Sequence, residues 1–329
     1  MWRNRIRLTG VLLLLLLAAE VEGAADVPAR LSAGAELFEA AEYSSAQQFF
    51  SSVPPGSDTA WVAYFLGRIH LEQNEVDFAI ERLLEAVEAD PKSSSFQRWL
   101  GHAYVEKIDQ VGMLKKMGLA KKARASFEQA VELSPGDFEA REAMADYYLN
   151  APSIAGGSRA KAEEQVAAMK KLDPGKGHRL MGRIYVEDEE WQEAAREFHA
   201  AIEAGDRGAE AYYLLGFSLQ QDEDFPGAFE AFEKAIAADP GDLSSYYQIG
   251  RTAIFAEQNL ERAVECLKFY LEQPHQRSSP ALEHAHWRLG MVYELQDKND
   301  LAAAEYRKAL ELDPQHEEAR KALKALGSA

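Results

Sequence analysis

Three histidines, His275, His284 and His286, fall close together in the sequence, and the only cysteine, Cys266, precedes them. Imidazoles and a thiolate could hold a metal, but only from one face of one element. His284 and His286 are two residues apart, which on a helix means about 200° of rotation, so they point to opposite sides. Cys266 follows Ala263 by three residues in a helical pattern. It reads as a small packing or half-exposed helix residue rather than a nucleophile, and a lone cysteine excludes an internal disulfide. Gly175-Lys176-Gly177 has the residue types of a phosphate loop but no strand before it, so it reads as a turn between helices. Neither Gly-x-Ser-x-Gly nor His-Glu-x-x-His occurs, and the many glutamates read as the polar sides of helices. The expectation is a protein that is not an enzyme, with no metal and no cofactor.

The residues that remain chemically interesting are arginines and aromatics, and their register depends on the elements that carry them. The organising stretch is Ala209–Asp242, which holds two helical patterns split at Asp222–Phe225. Tyr212, Leu215, Gly216 and Leu219 form one stripe of the first helix at about 100° per residue. Ala228, Phe232 and Ala235 form one stripe of the second, and Pro240 ends it. Counted from Ala209, these are positions 4, 7, 8, 11, 20, 24, 27 and 32. The pattern predicts an antiparallel hairpin closed by small residues, Gly216 against Ala228. Glu233 reads as an indifferent surface position.

The same unit recurs along the chain. Position 8 is Gly34, Gly67, Gly101, Gly182, Gly216, Gly250 and Gly290, with Ala145 once; position 20 is Ala46, Ala79, Ala123, Ala162, Ala194, Ala228, Ala263 and Ala302. Three of the glycine intervals are 34 residues. This 34-residue helix-turn-helix pattern resembles the tetratricopeptide repeat. The resemblance implies an all-α fold, a right-handed superhelical solenoid of about eight units. They span 31–58, 60–93, 94–136, 137–173, 175–208, 209–242, 243–277 and 283–316, and a capping helix at 317–329 closes the stack. Each unit leaves an apolar face that only its neighbour covers, so the units form one quasi-linear array.

In that family the first helices line the concave side, and positions 2, 5, 9 and 12 point into it. Position 2 supplies Trp61. Position 5 supplies Tyr64, Arg98, Arg179, Tyr213, Tyr247 and Trp287; position 9 supplies Arg68, His102, Arg183, Phe217, Arg251 and Met291. Positions that merely faced water would be Glu, Lys, Gln or Ser. Arginine and aromatic residues are instead the types enriched where binding energy concentrates. An arginine fork clamps a carboxylate and neighbouring rings offer flat apolar area. The expected ligand is an extended peptide segment, acidic and partly apolar. The competing reading is that the rings pad contacts between adjacent repeats. The asparagine and lysine clamp of the chaperone-binding members is not present.

Two repeats are irregular. The third carries ten extra residues between Tyr104 and Ala123, and Lys107–Arg124 holds six positive charges and one negative. Lys115, Lys116, Lys121 and Lys122 there form a second candidate contact, against the simpler reading of a solvated face on a lengthened helix pair. The fourth carries a loop at 150–158 with Pro152, Gly156 and Gly157. These two segments resemble those of a subgroup of exported bacterial repeat proteins regarded as interaction modules.

The net charge of −18 argues against nucleic acid and anionic lipid as main partners. Residues 1–25 read as a signal peptide: Arg3, Arg5 and Arg7, an apolar run Leu8–Ala19 too short for a comfortable span, and Gly23-Ala24-Ala25. An uncleaved signal anchor is the alternative. The chain has no Asn-x-Ser/Thr sequon, which favours a bacterial periplasm as the location, without membrane insertion after cleavage. The function expected is a protein-interaction scaffold of the cell envelope. The alternative is an assembly subunit of an envelope or secretion complex, using the convex face and the 107–124 insertion.

Overall fold

A computed structural model describes residues 27–56, 58–273 and 280–327. The candidate signal peptide and His275 lie outside them. Among the described residues there are 17 α-helices and no strand. They form two compact units that divide between Asp173 and Pro174.

The first unit begins with a 3₁₀ turn, Ala29–Leu31. It continues through α1 (Ser32–Glu39), α2 (Tyr43–Ser52), α3 (Thr59–Glu72), α4 (Val76–Ala89), α5 (Ser94–Asp109), α6 (Met113–Leu133), α7 (Phe138–Asn150) and α8 (Arg159–Leu172). The second contains α9 (Pro174–Glu187), α10 (Trp191–Glu203), α11 (Ala209–Gln221), α12 (Phe225–Ala238), α13 (Leu243–Ala256) and α14 (Leu260–Glu272). It ends with α15 (Leu282–Leu295), α16 (Asn299–Leu312) and α17 (Glu317–Leu326). Within each unit successive helices pack as pairs, and each pair packs on the next. Gly175-Lys176-Gly177 lies in the first turn of α9, not in a turn between helices. Proline at the first helical position, where an N–H has no intrahelical acceptor, allows the helix to start there.

Local chemistry starts these helices. Ser93, Asp137, Ser158, Asp224 and Asp242 each accept a backbone N–H of the first turn, which satisfies donors that the helix leaves open. The turn inside each regular pair places a non-glycine residue in the left-handed region, Ala41, Asn74, Glu189, Glu223, Glu257 and Asp297, and the α13–α14 turn adds a second, Asn259. The first six each stand seven residues after the recurring glycine, yet their type varies, so the pattern did not announce them.

A large side chain packs on the bare backbone of the recurring glycine in each of these pairs. A Cβ on Gly216 would meet the Phe232 ring at 2.8 Å, and the same relation joins Gly182 to Phe198, Gly101 to Phe127 and Gly290 to Tyr306. Leu83 and Leu267 take that place against Gly67 and Gly250. All six larger side chains are buried. Beyond the expected small-residue approach, the bare backbone makes room for a large side chain at position 24, which fills the pair core; at Gly67 the position-20 alanine is also near, with Ala79 O 3.3 Å from the added Cβ. Glu233 is not an indifferent surface residue either. Arg262 of α14 grips both of its oxygens, with Nε–Oε1 2.7 Å and Nη2–Oε2 3.0 Å.

Candidate functional site

First helices of consecutive pairs touch one another inside each unit: α1 with α3, α3 with α5 and α5 with α7 in the first, and α9 with α11, α11 with α13 and α13 with α15 in the second. Side chains at positions 2, 5, 9 and 12 therefore stand either on this shared face or in its seams. The two fates differ from residue to residue.

In the first unit most of the stripe is used internally. Tyr64 is only 3 % exposed and packs with Trp61 on Phe96, each ring 5.0 Å from it. The Arg68 guanidinium lies over two rings, 4.3 Å from Phe38 and 4.4 Å from Trp99. It also reaches the Tyr64 hydroxyl at 3.2 Å. Arg98 lies against Trp99 at 5.8 Å. The His102 ring packs on Phe127, and burial, reinforced by the charges of Arg98 and Arg68, pushes its pKa down to about 3. His102 is thus neutral, and Tyr64 is part of the repeat seam rather than a ligand wall. The burial of Tyr64 corrects its expected place in the groove, because the adjoining first helix approaches closely enough to enclose that ring, whereas His102 keeps partial exposure.

In the second unit Arg179 is likewise corrected. It pairs with Asp206 at 2.7 Å and with Glu210 of the following repeat, so an internal clamp already uses its fork. Tyr247 is 7 % exposed, packs on Tyr270 at 5.4 Å and closes a seam as Tyr64 does. Arg183, Tyr213, Phe217, Arg251, Trp287 and Met291 remain partly exposed. Phe217 meets Trp191 edge-on at 5.9 Å, and Trp287 stands over His316 at 5.4 Å.

The structure adds a residue that the position rule excluded. Arg288, at position 6, donates from Nε to the Tyr247 hydroxyl at 2.8 Å and lies over the Tyr247 and Trp287 rings at 5.2 and 5.3 Å. Burial, together with the Arg288 charge, lowers the pKa of Arg251, so the two cations sense each other. Neither forms an ion pair with a carboxylate among the described residues. Beside them runs a polar seam. Gln220 Nε2 donates to Thr252 Oγ1 at 2.6 Å, and Gln248 Nε2 to the Tyr213 hydroxyl at 3.4 Å. The Oε1 atoms of Gln220 and Gln248 are buried without a donor among the described residues. The sequence did hold one signal for this seam, since Gln220 occupies position 12.

The insertion in the third repeat is helical, lengthening both α5 and α6. Lys115, Lys121 and Lys122 are exposed; Lys116 lies 3.6 Å from Asp109, and Lys122 lies over the Tyr104 ring at 5.4 Å. The histidines part company as helix geometry requires. His284 meets His316 at 3.1 Å while His286 meets Glu305 at 2.6 Å, and no metal-holding cluster occurs among the described residues. Cys266 is fully buried, and burial pushes its thiol up to about 12, which leaves it inert as a nucleophile.

No curated protein matches the chain. Among solved structures it is similar to PilW, a widely conserved type IV pilus biogenesis factor, at 18 % identity over 70 % of this chain and 98 % of that one, with a TM-score of 0.52. PilF of Pseudomonas aeruginosa matches at 16 % identity, over 69 % and 95 % of the two chains, TM-score 0.51. The APC/C hetero-tetramer Cut9–Hcn1 matches at 15 %, over 87 % and 59 %, TM-score 0.52. These identities show the fold alone. Tetratricopeptide repeat models match residues 64–107, 113–137, 179–242 and 284–316, more than half of the chain. The chain belongs to the tetratricopeptide repeat family.

Proposed function

We propose that this protein is a non-catalytic scaffold that holds an extended, acidic and partly apolar peptide segment of a partner protein against the first helices α11, α13 and α15. One observation carries the reading. Arg251 and Arg288 stand near one another, without a carboxylate, beside the partly exposed rings of Tyr213, Phe217 and Trp287. Two like charges held together cost free energy unless an anion joins them, and the rings supply apolar area for the residues next to that anion. The net charge of −18 opposes long-range attraction of an acidic ligand, so capture rests on short-range pairing rather than steering. Signal-like residues 1–25 support a place in the cell envelope.

The test is display panning of a random peptide library on the mature chain, followed by fluorescence-anisotropy titration of the selected peptides. Acidic sequences with an aromatic residue should be enriched, and Arg251→Glu should abolish their binding while leaving the thermal midpoint in place. Enrichment of basic peptides, or equal binding by Arg251→Glu, would remove the assignment.

A further inference from the structure

The third and fourth repeats each exceed 34 residues, and their extra segments enter at different points of the repeat. In the fold they meet. Ala120 of α6, Ile108 at the end of α5 and Ala155 in the 3₁₀ turn Ser153–Ala155 form one buried cluster, flanked by Leu119 and Ala151. The Tyr147 hydroxyl lies 2.8 Å from both Ala120 O and Ala155 O and ties the two segments together. Gly156 takes φ +97° with the Arg124 side chain against it, and a Cβ on Gly157 would collide with Ala151 O. A turn fixed at so many points is a built platform rather than slack connecting chain.

What the platform leaves outside is apolar. Ile154 is 81 % exposed, Met113 70 % and Met117 37 %. On α6, Met113, Met117 and Ala120 fall within about 60° of one another, so the methionine stripe runs into the face that packs on the Ile154 turn. A shallow concavity beside it is lined by Gln110, Val111, Gly112, Met113 and Lys115. Lys115 and Lys121 are exposed and meet no carboxylate among the described residues. That is unusual in a chain with 54 acidic and 36 basic residues. Solvation alone accounts for lysines; it does not account for a joined stripe of Met and Ile held up by a rigid turn.

We infer that the joined insertions form a docking surface for an acidic amphipathic helix of a partner protein, independent of the first-helix face. An apolar stripe flanked on α6 by the unpaired Lys121, about 40° past Met117, with Lys115 lining the concavity beside Met113, complements a helix with an apolar stripe edged with carboxylates. Methionine suits such a contact because its flexible thioether adapts to the knobs of an incoming helix. An anionic bilayer is the weaker candidate. Its broad surface would also face the exposed carboxylates Glu106, Asp109 and Glu128 around the patch, whereas a single helix touches the patch alone.

The test uses the full chain after signal removal and a fluorescent peptide of about five helical turns with a leucine stripe flanked by glutamates. Its lysine-flanked counterpart is the control. The acid-flanked peptide should bind. Read in an Arg251→Glu background, which silences the first-helix face, its affinity should fall at least about tenfold in Met113→Asp/Ile154→Asp and, separately, in Lys115→Glu/Lys121→Glu. Should the first double variant fail to fold, the lysine variant, which alters only exposed positions, carries the test alone. Binding that survives the lysine variant overturns the inference. So does binding lost in Arg251→Glu, or lysine-dependent cosedimentation with phosphatidylserine vesicles in the absence of peptide binding. A wild-type dimer in sedimentation that Ile154→Asp dissociates, without peptide binding, also overturns it and identifies the occupant as a second copy of the chain.

Discussion

The Phe232 ring lies so close across Gly216 that a single added carbon on the glycine would sit 2.8 Å from it. The contact repeats, pair after pair, wherever a glycine faces a large side chain, and it sets how near the two helices of a pair can come. Gly216→Leu should therefore destabilise the second unit by at least about 1–3 kcal/mol through overpacking, with Gly216→Ala intermediate. Chemical denaturation followed by circular dichroism checks this. A leucine variant as stable as wild type would mean that the helices move apart at little cost.

Glu223 turns the chain between α11 and α12 at φ +64°, in a region that costs an L-residue about 1–2 kcal/mol. Glycine occupies it freely but loses about 0.5–1 kcal/mol through the unfolded chain. Glu223→Gly should be neutral to stabilising by about 1 kcal/mol, whereas Glu223→Val should destabilise. Paired melting curves decide, and the two variants must move apart.

Glu305 is 9 % exposed. Burial alone would raise its pKa, but hydrogen bonds from His286 and Lys308 outweigh burial and hold it below its ordinary 4.5. A depressed carboxyl pKa adds stability that is complete above pH 4.5 and is lost as pH falls through the lower folded value. At neutral pH Glu305→Gln should cost about 1–3 kcal/mol, and the gap from wild type should narrow below pH 4.5. Unfolding free energies measured at steps of pH test the sign; a gap that widened in acid would refute it.

Arg251 and Arg288 offer a test of site against scaffold. Arg251 is half-buried beside another guanidinium and its Nε lacks a partner, so Arg251→Gln should leave stability unchanged or raise it by about 0.5 kcal/mol. Arg288→Lys keeps the charge but loses the bond to the Tyr247 hydroxyl and should cost about 0.5–1.5 kcal/mol. Equal and large losses in both variants would show that the pair holds the fold rather than a ligand.

Much of the fold was legible in the sequence because the repeat is written locally. Glycine at position 8, alanine at position 20 and the capping aspartates act through contacts within one unit or with its next neighbour, and recurrence makes so local a code visible. The spacing also separated His284 from His286, which the fold gives different partners. Only the tertiary structure decided which groove residues stay available. Tyr64, Tyr247 and Arg179 share position 5 with the partly exposed Tyr213 and Trp287, yet they are consumed by the adjoining first helix or by Asp206 and Glu210. A position rule knows the direction of a side chain but not the distance to the next helix. That distance brings Arg288 onto Tyr247, and it joins two insertions from different repeats through Tyr147.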